Sequence, residues 1–226
     1  PLLLLFIINA SAQIMTKTEI LGRPTDKSIT LAAFFDEQVE MKVNYGLSPG
    51  ELANQSQWQT TQSDGQVNIL LSDLLPNTRY YYQSSFRKSP NDDIKKRPVF
   101  TFHTQRSIGE KFTFIVQADP HLDEMSDTAL YRRCLRNQLE EGADFMIDLG
   151  DIIMTDKLKN AGGKITRDTI IKRCEYMREY YTTACHSLPL FIALGNHEGE
   201  AGWQLTGNSE NIAVWNTLER KKYLNQ

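Results

Sequence analysis

The stretch FMIDLGD, Phe145 to Asp151, decides how this chain folds. Its apolar run reads as a buried β-strand, and Gly150 permits a sharp turn that a Cβ would obstruct, so Asp151 is delivered at the strand's C-terminal end. Two other stretches repeat the device: KFTFIVQA, 111–118, runs into Asp119-Pro120-His121, and LFIAL, 190–194, runs into Gly195-Asn196-His197. Helical patterns lie between them. Glu124 to Glu141 carries Met125, Ala129, Leu130, Cys134, Leu135 and Leu139 and is closed by Gly142. Arg167 to Ser187 carries Ile170, Ile171, Cys174, Met177 and Tyr181 on one side, while the polar segment from Asp156 to Lys164 reads as a loop. A β-α-β-α-β series predicts a parallel sheet with right-handed crossovers. Residues at the C-terminal ends of such strands converge on one crevice. Here they are Asp, His, Asp, Asn and His, an oxygen- and nitrogen-rich cage suited to hard or borderline divalent metals.

Upstream, residues 18 to 104 have a different rhythm. Strands are expected over Ser28–Phe35, Val39–Tyr45, Gln66–Leu71, Thr78–Phe86 and Val99–Thr104, with turn signals at Ser48-Pro49-Gly50, Ser63-Asp64-Gly65 and Leu75-Pro76-Asn77. Short strands at that spacing predict an antiparallel sandwich. A short linker, about Gln105 to Glu110, joins the two patterns.

The ordered motifs D-x-H, G-D and G-N-H-E resemble the calcineurin-like metallophosphoesterases, over Phe112 to about Gln226. The resemblance implies that Asp119 and His121 hold a first metal, that Asp151 bridges two, and that Asn196 holds the second. His197 would meet the substrate phosphate and protonate the leaving group, with Glu198 behind it, orienting His197. Two metal ions (Fe, Mn or Zn) would supply a bridging hydroxide for in-line attack on the phosphorus of a phosphate ester. The run LLPNTRYYY, 74–82, resembles the tyrosine corner of fibronectin type III domains, with Tyr80 or Tyr82 as the corner residue. A sandwich of that kind before a metallophosphoesterase domain resembles purple acid phosphatases and their bacterial relatives. The resemblance thus implies two domains: a fibronectin III-like sandwich over 13–106, then the N-terminal part of a four-layer α/β/β/α metallophosphoesterase domain over 107–226. The expected activity is that of an acid-phosphatase-like phosphoric ester hydrolase. A phosphodiesterase or nucleotidase, or a non-catalytic binding module with a degenerate site, are the alternatives. His121 stands where purple acid phosphatases have glycine, and Met154 where they have an iron-binding tyrosine, so no tyrosinate-to-iron absorption is expected. The family's downstream V-x-x-H and G-H-x-H motifs are absent, which implies an incomplete domain.

Composition limits the function classes. With 28 acidic against 25 basic residues and no Lys/Arg cluster, no nucleic-acid surface is expected. Leu2 to Ile8 followed by Asn9-Ala10-Ser11-Ala12 reads as the remnant of a signal peptide, residues 1–12, cleaved after Ala12, which predicts a secreted or periplasmic protein without a transmembrane anchor. The sequence does not decide oligomeric state. Cys134, Cys174 and Cys185 lack metal-ligand spacing. A Cys174–Cys185 disulfide is one reading of the pair, and Cys134 reads as a buried thiol on the helix stripe. His103, His186 and the acids Asp123, Glu124 and Asp127 read as structural residues, the acids in a helix's first turn. Asp148 is a candidate support beneath the site. A last amphipathic helix is expected over Asn211–Tyr223, with Ile212, Trp215 and Leu218 on its apolar face.

Overall fold

In the computed structural model the described residues are 16–159, 162–199 and 210–225. The proposed leader, residues 1–12, lies outside them. The N-terminal part comprises β1 (Thr16–Gly22), β2 (Ile29–Phe35), β3 (Glu40–Gly46), β4 (Asn54–Gln55), β5 (Gln59–Thr60), β6 (Gln66–Leu71), β7 (Arg79–Arg87), β8 (Lys95–Lys96) and β9 (Phe100–His103). One antiparallel sheet has the order β1-β2-β6; the other is built on β4-β3-β7-β8, with β5 on β3 and β9 on β7. Their inner faces share a core that includes Leu31, Met41, Val43, Ile69, Tyr82 and Phe102. Tyr80 is the corner tyrosine: its hydroxyl accepts the Leu75 N–H at 2.8 Å. Tyr82, in the same core, reaches with its hydroxyl to the His186 carbonyl, donating to it at 2.6 Å.

Strand β1 is the longest of the strands that the sequence pattern did not foretell, the others being the two-residue β4, β5 and β8. Its Glu19 is fully buried, which breaks the polar-out pattern of a surface strand, and burial raises its pKa. Ser84 and Arg97 are its partners. They make that burial tolerable.

The second part contains β10 (Phe114–Gln117), α1 (Thr128–Glu140), β11 (Phe145–Asp148), α2 (Arg167–Cys185), β12 (Leu190–Ile192) and α3 (Ile212–Tyr223). The sheet order β10-β11-β12 is parallel throughout, in register Gln117↔Asp148↔Ile192, as the alternating pattern requires. Capping sets the helix starts. Asp127 Oδ1 accepts the Leu130 N–H at 2.9 Å, Thr166 and Thr169 form a reciprocal capping box, and Asn211 Oδ1 accepts the Ala213 N–H at 2.8 Å. Met146, Ile170, Met177, Tyr181 and Leu190 build the core between the sheet and the helices.

Helix α1 begins only at Thr128, so Asp123 and Glu124 precede it, and Asp123 pairs with Lys157 at 2.6 Å. Of its anticipated stripe only Leu135 is buried, and Cys134 is exposed. All three cysteines are free. Cys174 and Cys185 lie eleven residues apart on α2, about 16 Å along the axis, beyond the reach of a disulfide. Helix α3 buries Ile212, Asn216, Glu219, Arg220 and Tyr223, leaving Leu218 about half exposed. That face is polar because it carries bonds: Glu219 to Arg167 and Arg220 to the Ile192 carbonyl.

Among the described residues no helix is long and apolar enough to cross a membrane. The two cores meet through α2 and α3 against β1 and β2. Arg178, fully buried, donates to Thr18, to the Ala32 carbonyl and to the Tyr223 carbonyl, and stacks over Phe34 at 4.7 Å. On the opposite face of the parallel sheet Phe114, Val116 and Phe191 are 38–52% exposed among the described residues.

Candidate metal centre

Three turns at the C-terminal ends of β10, β11 and β12 meet at one point. Their approach depends on two glycines. Gly150 has φ +98°, and a Cβ there would overlap the Gly195 nitrogen; a Cβ on Gly195 would overlap Asp151. The turns are strained as well. Asp119, His121, Leu122 and Asp151 all hold φ between +45° and +55°, a left-handed region costly for non-glycine residues. Strain of that kind persists only where surrounding bonds impose it. Here the Asp119 N–H donates to the Gly150 carbonyl at 3.1 Å and the His121 N–H to the Asp151 carbonyl at 3.2 Å. Arg173 of α2 donates to the His121 carbonyl.

The side chains brought together are His121, Asp151 and His197, each offering a ligand atom, with those atoms within 4.8 Å of one another. The two imidazoles meet edge to face with centroids 5.0 Å apart. His121 Nε2 is buried with no hydrogen-bond partner, an orphaned donor–acceptor of the sort a metal satisfies. Asp151, only 7% exposed, has its Oδ1 fixed by the His197 N–H at 2.7 Å. A carboxylate with two imidazoles is a fitting donor set for Zn, Mn or Fe.

The other anticipated ligands are more exposed. Asp119 places Oδ1 3.6 Å from His121 Nε2, but its side chain is 65% exposed. Asn196 is exposed at the tip of its turn.

Glu198 holds two of the turns together. It is 2% exposed, and its carboxylate accepts four backbone N–H groups: those of Ile152 and Ile153 on Oε1 at 2.7 and 3.1 Å, and those of Gly195 and Asp151 on Oε2 at 2.7 and 2.9 Å. It thereby clamps the Asp151 turn to the Gly195 turn. Thr155 extends the clamp, its hydroxyl donating to the His197 carbonyl at 2.6 Å and accepting from Asn216 of α3 at 3.0 Å.

Beneath the site lies Asp148, fully buried, its pKa raised by burial. It accepts from Tyr181 at 2.6 Å, Gln117 at 2.5 Å and the Gly150 N–H at 3.0 Å, and so fixes the turn that presents Asp151. Sequence reading singled out Asp148 by its place in an apolar strand. It missed Asn216, Thr155 and Arg173, whose only signal is a polar residue at a helix or loop position.

No protein-family model matches the chain, and no curated protein matches its sequence. Among solved structures it is similar to PhoD, with a TM-score of 0.62 at 17% identity, over 95% of this chain and 45% of that one. That likeness shows the fold, and this chain spans less than half of PhoD's length. Sandwich-sized matches are looser. The sensor domain of the anti-sigma factor RsgI4 in Pseudobacteroides cellulosolvens gives a TM-score of 0.34 at 10% identity, over 42% of this chain and 76% of that one. The fibronectin type-III domain of human fibronectin type III domain containing protein 3 gives 0.30 at 14%, over 42% and 88%.

Proposed function

We propose that this chain carries the metal centre of a phosphoric ester hydrolase of the calcineurin-like metallophosphoesterase kind, exported and acid-phosphatase-like, with the sandwich of residues 13–106 as its N-terminal domain. The observation that carries the proposal is the meeting of His121, Asp151 and His197 from three separate strand ends, with His121 Nε2 unsatisfied. In this reading His121 and Asp151 hold the metal, with Asp119 and Asn196 at its exposed side. The metal, when bound, neutralises phosphate charge and lowers the pKa of a coordinated water toward about 7. The chain's own residues do the rest. Asp151 is held in one orientation by the His197 N–H, Glu198 keeps the two turns at fixed separation, and Arg173 braces the His121 turn. The His197 imidazole, facing the same point, gives a proton to the leaving oxygen.

The test is hydrolysis of nitrophenyl phosphate and bis-nitrophenyl phosphate in the presence of Mn, Zn or Fe. Metal-dependent turnover that Asp151→Asn abolishes is expected. Turnover that ignores the metal, or survives in Asp151→Asn, would contradict the proposal.

A further inference from the structure

The face of the β4-β3-β7-β8 sheet turned away from the sandwich core carries a groove of about 410 Å³. Its floor is Lys42 and Asn44 of β3 with Gln83 and Ser85 of β7, residues that alternate with the core side chains Met41, Val43, Tyr82 and Phe86. Pairing sets Lys42 opposite Ser85 and Ser85 opposite Lys96, so one row across three adjacent strands reads lysine, serine, lysine. The Cα atoms at the two ends of such a row are about 10 Å apart. Two flexible four-carbon stems can close that gap. No carboxylate lines the groove, and among the described residues neither lysine is ion-paired. Lys42 gives one N–H to Gln55 Oε1 at 2.7 Å and rests 5.1 Å from the Trp58 ring, which leaves two N–H groups of its ammonium for another acceptor. Between the lysines, Ser85 is 1% exposed and its hydroxyl has no hydrogen-bond partner. A buried hydroxyl left unpaired is costly, and an acceptor arriving in the groove satisfies it.

We infer that this groove binds a small phosphate or sulfate ester, its tetrahedral oxyanion held between Lys42 and Lys96 over Ser85. The row offers two ammoniums and a hydroxyl, and the Asn44 amide lies one row away. A tetrahedral oxyanion meets donors spread over three strands, whereas a carboxylate has only two oxygens in one plane. Lysine serves such an anion as a point charge. The groove is larger than a bare ion, and Pro49, Leu52, Ile94 and Val99 give the organic body apolar surface to cover. The site lies on the sandwich, on none of the strands that carry His121, Asp151 and His197, and does not depend on the phosphoesterase reading.

Calorimetric titration of the chelator-treated chain, in which no metal can hold the anion, tests this with glucose 6-phosphate, glucose 6-sulfate, inorganic phosphate and glucose. One equivalent of an ester is expected to bind, more tightly than inorganic phosphate, with an affinity that falls as salt rises and with no binding of glucose. The tighter of the two esters identifies the group. Ser85→Ala is expected to weaken that binding about tenfold, and to do so without lowering the urea midpoint, because it removes a buried hydroxyl that has no partner. Lys42→Gln and Lys96→Gln should each weaken it by about the same factor. Failure of both esters to bind, ester affinity no greater than that of inorganic phosphate, or affinity unchanged in the folded Ser85→Ala and Lys96→Gln variants would overturn the inference. Each of those results would leave the metal centre as it stands.

Discussion

At the residue scale, the organising group of the site is a carboxylate that touches no candidate substrate position. Glu198 satisfies four backbone N–H groups from two turns, and without it those donors would be buried unpaired. Glu198→Ala is therefore expected to destabilise the chain by about 3 kcal/mol or more, and Glu198→Gln by less, because its amide oxygen still accepts. Urea unfolding of both variants checks this; an Ala variant within about 1 kcal/mol of wild type would show that the clamp is not used. The sequence made Asp119, His121, Asp151, Asn196 and His197 legible as a set because each follows an apolar run. It could not tell the more buried His121, Asp151 and His197 from the more exposed Asp119 and Asn196. Arg173 on α2 holds the His121 turn, and Glu198, in the turn that carries Asn196 and His197, ties it to the Asp151 turn; neither contact is visible in sequence.

At the element scale, strands and helices were readable where period and caps agree, and β11 and α2 are the cases in point. Where a buried face is polar, the reading missed β1, and for α3 it gave the helix but not most of its buried face. Strand β1 buries Glu19 and α3 buries Asn216, Glu219 and Arg220, so hydrophobic period pointed elsewhere. The C-cap of α2 carries a further consequence. His186 stacks on Phe100 of β9 with centroids 4.0 Å apart, and burial, helped by the charge of Arg97, pulls its pKa from 6.5 to about 4. The unfolded chain therefore binds this proton at a higher pH than the folded one does. Its contribution to stability is complete above pH 6.5 and is lost as pH falls through 6.5 toward about 4. Thermal unfolding across that window should steepen in wild type relative to His186→Gln, in which nothing titrates at this position. Parallel pH profiles would contradict the assignment.

For the whole molecule, sandwich and α/β unit were legible as two patterns, but not the way they are joined. The junction is made by single buried groups: Arg178 with three partners, Tyr82 on the His186 carbonyl, and Asn225 on the Thr30 carbonyl. Burial lowers the Arg178 pKa to about 9, so its charge is maintained at neutral pH by its bonds and by Glu19. The two units should consequently unfold together. The helix signal at 222 nm and the near-ultraviolet signal of the sandwich tyrosines should share one denaturation midpoint, and Arg178→Met should lower both. Separate midpoints in wild type would show that the units are independent. On the far side, Phe114, Val116 and Phe191 form an apolar ladder that is exposed among the described residues, and copies of the chain are expected to associate through it. Light scattering should register concentration-dependent self-association that Phe114→Ser with Phe191→Ser relieves; a monomer at all concentrations would contradict that.

The central claim is that His121 and Asp151 hold a metal ion, with His197 facing the same point. Equilibrium dialysis of the chelator-treated chain against Mn or Zn tests it directly, beside Asp151→Asn and His121→Ala. The account predicts at least one equivalent bound by wild type and a loss of about 10-fold or more in affinity in each variant. Equal binding by wild type and Asp151→Asn, or none by wild type, would contradict it.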